Sequence, residues 1–426
     1  MTIPAIYQLY LQHPQVQTDT RKLMPGDLFF ALKGPSFNGN QFARQALESG
    51  AAYAIIDEKE YYKDERTILV EDVLTCLQEL AGYHRDQLSI PVLAITGSNG
   101  KTTTKELVHA VLSSRYRTYT TEGNLNNHIG IPLTLLRIKK DAEIAVVEMG
   151  ANHQKEIEGY CRYTKPSHGI ITNCGKAHLE GFGGVEGVRK GKGELYDHLR
   201  AHQGTAFVMW DYDYLRTMSA GIPNIITYGT CEASIVGRAI KSEPFLEAII
   251  HVNGKDISIK SQLVGDYNLP NLLVAVTVGS YFNIDAEQIR SSIENYIPSN
   301  SRSQLVEQDG NQIVLDAYNA NPSSMKLAIE NFSKGNTENK ILFLGAMAEL
   351  GEESLAEHQA IVDLIAQHQW KNVVLVGGDF LKLNHPYISL PDSAAARHWY
   401  LEQQLTGYTL LVKGSRSMKM EKVLGK

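Results

Sequence analysis

The segment Val92-Leu93-Ala94-Ile95-Thr96-Gly97-Ser98-Asn99-Gly100-Lys101-Thr102 constrains this chain more than any other. Pro91 opens an apolar run that reads as a buried strand, and Leu107, Val108, Val111 and Leu112 recur behind the loop at helical spacing. Strand, glycine loop and helix in that order form a phosphate cradle, because backbone N–H groups at a helix N-terminus can meet anionic oxygens with no side chain in the way. Lys101 is placed to neutralise β- and γ-phosphates and Thr102 to ligate Mg²⁺, which makes the chain an ATP- or GTP-using enzyme, with ATP the expected nucleotide. The expected nucleotide contacts are Gly97, Ser98, Asn99, Gly100, Lys101, Thr102 and Thr103. The loop is a variant: the general G-x-x-x-x-G-K-[ST] pattern asks for glycine at position 95, where this chain has Ile95, with its glycine at 97.

Around that loop, 426 residues predict about three domains at ~150 residues each. Residues 1–88 read as a small α+β unit with short strand-like pieces such as Asp27 to Leu32, punctuated by Gly34, Pro35, Gly39 and Gly50. Residues 89–299 read as a central nucleotide-binding α/β domain, since Ile144-Ala145-Val146-Val147 and Ile170-Ile171 continue an alternation of strands and helices that builds a parallel sheet. A polar break at Pro298 to Ser301 starts a last unit, 300–426. There Ile313 to Leu315, Ile341 to Leu344, Val373 to Val376 and Thr409 to Val412 alternate with helical segments as in a Rossmann-like sheet.

A net charge of −6 gives no broad basic face, so nucleic acid is not an expected partner. Cys76, Cys161, Cys174 and Cys231 form no C-x-x-C pair, which argues against a zinc site or a disulfide framework and for a reducing cytoplasm. No apolar run reaches the ~18 residues that span a bilayer, so membrane insertion is not expected. A monomer is the expected state.

Two further segments follow strands and therefore lie on the ligand side of a doubly wound sheet. Glu148 ends one apolar run and is the candidate carboxylate for a hard cation. His178 closes the stretch Thr172-Asn173-Cys174-Gly175-Lys176-Ala177-His178. The run Arg189-Lys190-Gly191-Lys192-Gly193-Glu194 reads as a solvated face, and composition does not single out Lys192.

Taken together, Thr96 to Thr102, Asn126-Asn127 with Gly130 and Pro132, Glu148-Met149-Gly150, Thr172 to His178 and Gly265-Asp266-Tyr267-Asn268 with Asn271 resemble the Mur ligases. These are ATP-dependent amide-forming enzymes of bacterial peptidoglycan precursor synthesis, and the resemblance covers essentially the whole chain. Tyr318-Asn319-Ala320-Asn321-Pro322-Ser323, Leu350-Gly351 with His358, and Val412-Lys413-Gly414-Ser415-Arg416 look most like the branch that adds D-alanyl-D-alanine. Asp19-Thr20-Arg21 and Pro25 to Leu32 look like that branch's UDP-sugar domain, and the Asp-Asn-Pro-Arg motif of the relative that adds the third amino acid is not found.

The resemblance implies that ATP phosphorylates the terminal carboxylate of UDP-N-acetylmuramoyl-tripeptide, and that the amine of D-alanyl-D-alanine attacks the acyl phosphate. It implies one Mg²⁺ on Thr102 and Glu148, and a second on His178 together with Lys192 carrying a carbamate; Lys101, His178 and Lys192 are the catalytic set. Asn268, Asn271, Arg302 and Asp316 are implied near the nucleotide, and Thr20, Arg21, Asn126, Asn127, Asn319, Asn321, Lys413 and Arg416 near the substrates. Asn38-Gly39-Asn40, Ala317 and Ala346 depart from the family's pattern in substrate detail. Two alternatives stay open at this point: a sister ligase that adds a single amino acid, and a nucleotide-dependent switch that makes no amide.

Overall fold

A computed structural model describes residues 1–252, 254–299, 301–334 and 338–425. Position 300, where the sequence sets the last boundary, lies outside the described residues.

The central sheet has nine strands, in the order Lys255–Lys260, Glu247–Val252, Ile235–Lys241, Asn224–Gly229, Thr205–Met209, His168–Ile171, Val92–Thr96, Ile144–Glu148 and Thr118–Thr120. Val92–Thr96 and Ile144–Glu148 are buried at every position, as strands covered by helices on both faces must be, which is why they read as unbroken apolar runs. All pairings are parallel from the Thr118–Thr120 edge through Ile235–Lys241, and the last two are antiparallel. That antiparallel extension went unread in the sequence.

From Val92–Thr96 the chain runs outward to Thr118–Thr120, returns beside its starting strand at Ile144–Glu148, then crosses to the other side at His168–Ile171. The strand order reverses there, so the loops after residues 96, 148 and 171 open into one crevice. The helix Lys101–Ser113 packs against the strands through Leu107, Val108, Val111 and Leu112, all fully buried. It also packs on Leu269–Tyr281, a helix buried on nearly all sides.

Before this sheet stands a smaller parallel one: Val16–Gln17, Leu28–Phe30, Tyr53–Ile56 and Thr67–Leu69. The helix Val73–Asp86, capped by Asp72 accepting from the Thr75 N–H at 2.7 Å, joins the two layers. Its Gln78 amide donates to the His128 carbonyl at 3.0 Å, and His84 bridges the Tyr7 hydroxyl and the Ile138 carbonyl. After the central sheet comes a third: Gln304–Gln308, Asn311–Asp316, Thr409–Lys413, Lys340–Gly345, Asn372–Val376 and Ile388–Leu390, parallel except for the first pair. No helix among the described residues is long and apolar enough to cross a membrane.

Candidate active site

The shifted glycine has a steric cause. Ile95 is a fully buried strand residue whose carbonyl accepts from the Met149 N–H at 2.8 Å, so the chain is still extended there and has no need of glycine. Gly97 is where the chain leaves the strand, at φ +145°, and a Cβ at that position would lie 1.9 Å from the Thr172 hydroxyl. Gly100 ends the loop in the left-handed region at φ +79°, where a Cβ would sit 2.5 Å from the Asn271 side-chain oxygen. The loop is sewn to the segment after the neighbouring strand. Ser98 N–H donates to the Asn173 carbonyl at 2.9 Å, Asn99 N–H to the Asn173 side chain at 3.1 Å, and the Thr172 hydroxyl to the Asn99 carbonyl at 2.6 Å.

At the helix start, the Lys101 ammonium donates to the Gly97 and Ser98 carbonyls at 2.7 and 3.2 Å, folded against its own loop. Burial holds it below the ordinary lysine value, with the charge of Glu148 pulling the other way. Thr102 donates its hydroxyl to Glu148 at 2.9 Å, and both side chains are buried. The second carboxylate oxygen of Glu148 accepts from the Asn126 amide at 2.8 Å. Behind it, the Glu148 N–H donates to the Thr121 hydroxyl at 3.0 Å, while the buried Lys105 ammonium donates to the Thr121 carbonyl at 2.7 Å. Lys105 and Thr121 thus hold the carboxylate's strand end from the rear, a role the sequence reading missed although Lys105 lies one turn after Lys101.

Lys192 corrects the reading of its charge run as a solvated face. Within the helix Val185–Ala201, Lys190 is exposed, but Lys192 is 1% exposed. Its amine donates to the Ala151 carbonyl at 3.1 Å and stands 5.0 Å from the centre of the Phe182 ring. Burial, reinforced by the charge of Lys101, pushes its pKa down to about 7. Among the described residues no carboxylate lies within ion-pairing distance of it. His178 caps a short helix, Leu179–Phe182, in the left-handed conformation at φ 52°, and its Nδ1 pairs with the Glu349 carboxylate from the last sheet unit.

The last unit closes the crevice. The Asn321 amide donates to the Asn99 side chain at 2.8 Å, and Lys176 N–H donates to the Ser323 hydroxyl at 2.9 Å. Lys413, 2% exposed, donates to Asp316 at 2.5 Å, and Asp316 also accepts from the Ser303 N–H at 3.1 Å. The Arg302 guanidinium lies over the Tyr318 ring at 3.6 Å. On the opposite wall Asn271 donates to Asn268 at 2.8 Å and accepts from the Thr104 hydroxyl at 3.0 Å.

The cavity between them measures about 480 Å³. Of the residues expected from the sequence, Ser98, Asn99, Gly100, Lys101, Thr102, Thr103, Asn126, Asn127, Glu148, His178, Asn268, Asn271, Arg302, Asp316, Asn319, Asn321 and Lys413 line it. Gly97 and Lys192 stand just behind its wall, Lys192 through the lining residue Ala151. Arg416 stands beside the cavity without lining it: its side chain pairs with Glu421 at 3.0 Å and lies 5.9 Å from the centre of the Tyr318 ring. Thr20 and Arg21 are not brought to the cavity; the Arg21 side chain is exposed and folded onto Asp19 at 2.8 Å. Tyr160, Tyr212, Tyr267 and Tyr318 form aromatic walls that the sequence reading did not assign.

Among the described residues no three His, Cys, Asp or Glu side chains converge as a metal cage. The oxygen pair of Thr102 and Glu148, with Asn126 fixing the carboxylate, nonetheless suits a hard cation that keeps part of its own water and takes a phosphate ligand.

A strand-loop-helix phosphate cradle faced by a second α/β unit defines a three-part nucleotide-dependent ligase architecture, and this chain belongs to the Mur ligase family. Residues 14–85 match the Mur ligase family catalytic domain, 95–279 the Mur ligase middle domain and 301–416 the Mur ligase glutamate ligase domain. The UDP-N-acetylmuramoyl-tripeptide--D-alanyl-D-alanine ligases of Bacillus subtilis strain 168 and Escherichia coli K12 are each 34% identical to it, over 96% of this chain and 92% of theirs. Among solved structures, MurF from Acinetobacter baumannii superposes with a TM-score of 0.88 at 29% identity, covering 98% of this chain and 97% of that one. MurF from Thermotoga maritima in complex with ADP gives 0.87 at 27% identity, covering 97% of each chain.

Proposed function

We propose that this chain joins D-alanyl-D-alanine to UDP-N-acetylmuramoyl-tripeptide at the expense of ATP. The observation that carries the reading is the convergence on one cavity of the phosphate loop, the Thr102–Glu148 pair and, from the last unit, Arg302, Asp316, Asn321 and Lys413. ADP in the Thermotoga maritima relative and the full-length similarity to D-alanyl-D-alanine ligases support the nucleotide and the amine.

In the first step a carboxylate oxygen of the tripeptide attacks the γ-phosphorus, the bond to the β-phosphate oxygen breaks, and ADP departs. Two anions must approach, so the barrier is lowered by cations placed where charge develops. Lys101 swings from its loop carbonyls to the β/γ-phosphates, and the loop N–H groups fix the remaining oxygens. Thr102 and Glu148 fit Mg²⁺ and would hold one ion, and His178 with Lys192, once that amine carries a carbamate, would hold a second, supplying charge neutralisation at the transferring group. A free ammonium cannot ligate a cation, whereas Lys192 as a carbamate presents anionic oxygen. In the second step the dipeptide amine attacks the acyl carbon, and the tetrahedral intermediate expels phosphate to leave the amide. The last unit excludes water from the acyl phosphate, which would otherwise hydrolyse. Asn319, Asn321, Lys413 and Arg416 are assigned to the incoming dipeptide, Asn126 and Asn127 to the tripeptide arm, and Thr20 and Arg21 to the UDP-sugar. The four free cysteines, three of them buried, suit a reducing cytoplasm, where we place the reaction.

The test is stoichiometric. With ATP, Mg²⁺ and both peptide substrates, the chain should form one UDP-pentapeptide for each ADP and phosphate, read by mass spectrometry of the nucleotide-sugar. ATP turnover independent of both peptides would instead mark a nucleotide switch.

A further inference from the structure

His178 must offer a bare ring nitrogen if it is to hold a cation, and a free imidazole does not favour one tautomer strongly enough to guarantee it. Its side chain lines the central cavity, whereas Glu349 does not. The Glu349 carboxylate takes the Nδ1 side of the ring. A carboxylate in contact with Nδ1 favours the proton on that nitrogen and leaves the lone pair on Nε2, which is the arrangement found behind metal-bound imidazoles. The two residues come from different sheets: His178 follows the central strand His168–Ile171, and Glu349 follows the last-unit strand Lys340–Gly345.

The Glu349 loop is built for this position. Glu349 is in the left-handed region at φ 61°, an uncommon conformation for a residue with a Cβ. Buried His358 anchors the loop from below, its Nε2 accepting from the Met347 N–H at 3.0 Å and its Nδ1 donating to the Ser354 carbonyl at 2.7 Å. Gly351, at φ 57°, passes so close to the His178 helix that a Cβ would lie 3.3 Å from the Glu180 Cβ. Beside it, Lys176 pairs with Glu357, so a second ion pair spans the same seam.

We infer that Glu349 is the positioning residue for His178, so that the second cation site of the ligase is completed only when the last unit docks on the central one. This rests on the assignment of His178 as a cation ligand made above. It gives the docking of the last unit a chemical consequence: cation affinity and domain docking are linked, each favouring the other by the same factor. Glu349 is not among the residues lining the cavity, and its side chain is half-exposed, so its replacement removes no core packing.

The experiment titrates Mn²⁺ into the full chain holding a non-hydrolysable ATP analogue and bicarbonate, with no peptide substrate, and follows free Mn²⁺ by electron paramagnetic resonance. Glu349→Ala should weaken one class of site by about 10- to 100-fold and leave the other unchanged. Glu349→Gln, which still offers Nδ1–H an oxygen, should lose less. His178→Ala should affect the same class, and Glu349→Ala should add nothing in that background. Small-angle scattering should show Mn²⁺ compacting the wild type more than Glu349→Ala. Unchanged Mn²⁺ affinity in Glu349→Ala beside a weakened His178→Ala overturns the inference while leaving His178 as a ligand. Unchanged affinity in both overturns the inference and the ligand assignment together, and since no peptide is present neither result bears on the choice of amine.

Discussion

Replacement of Lys192 by alanine isolates one chemical requirement of the site. The amine is buried, makes one hydrogen bond to a carbonyl and faces an aromatic ring, so as an ammonium it has no anionic partner to offset its desolvation. At pH 7 an ordinary lysine is neutral in roughly one molecule in 2,500. With its pKa pushed down to about 7, Lys192 is neutral in about half. The structure therefore favours the neutral, CO₂-reactive amine, and a carbamate on it would convert an unpaired buried cation into an oxygen ligand. Lys192→Ala should cost about 3–4 kcal/mol of transition-state stabilisation, roughly 10²–10³ in kcat, the scale of losing one preorganised electrostatic group. Short carboxylates such as acetate or propionate should restore part of the rate by occupying the vacated space. The assay is coupled phosphate release at saturating substrates, with Lys190→Ala, an exposed neighbour, as the control that keeps wild-type rate. Isotopically labelled bicarbonate should in addition mark the wild type, and not Lys192→Ala, with a carbamate carbon resonance. Wild-type turnover from Lys192→Ala would refute the reasoning.

Thr102→Val keeps shape and removes the hydroxyl that meets Glu148; kcat should fall at least ~100-fold with an unchanged melting temperature, measured across a Mg²⁺ titration. Gly97→Ala forces a Cβ to 1.9 Å from the Thr172 hydroxyl at φ +145°, and should destabilise by about 2 kcal/mol or more in denaturant melts and abolish ATP-analogue binding by calorimetry. His168 is held neutral by burial against Phe207, Tyr281 and Phe282, with its pKa down at about 4. Because the unfolded chain takes up that proton near pH 6.5, stability should fall as pH drops from 6.5 to 4, by up to about 3 kcal/mol. His168→Phe should flatten that part of the stability profile, read from melts between pH 4 and 8.

The cradle was legible because its signal is local: a strand buried on both faces is a continuous apolar run, and the loop and helix adjoin it in sequence. The four runs of the last sheet were legible for the same reason. Lys192 was not, because a helix that buries one lysine and exposes another two places earlier has the composition of a solvated face. The strands Ile235–Lys241, Glu247–Val252 and Lys255–Lys260 went unread because they form an antiparallel sheet edge with mixed burial rather than apolar runs. The Glu349–His178 pair depends on the last unit meeting the central one, and pairing across that seam leaves no periodicity in the sequence. The departures at Ala317 and Ala346 prove to be buried apolar positions of the last unit, 0% and 3% exposed, and neither lines the cavity.

The central claim concerns which amine the acyl phosphate receives. Phosphate release should be measured with ATP, UDP-N-acetylmuramoyl-tripeptide and a panel of amines: D-alanyl-D-alanine, D-alanine, L-alanine, D-glutamate, L-lysine and diaminopimelate. The account predicts rapid release with D-alanyl-D-alanine and little with any single amino acid. Turnover with a single amino acid and none with the dipeptide would contradict it.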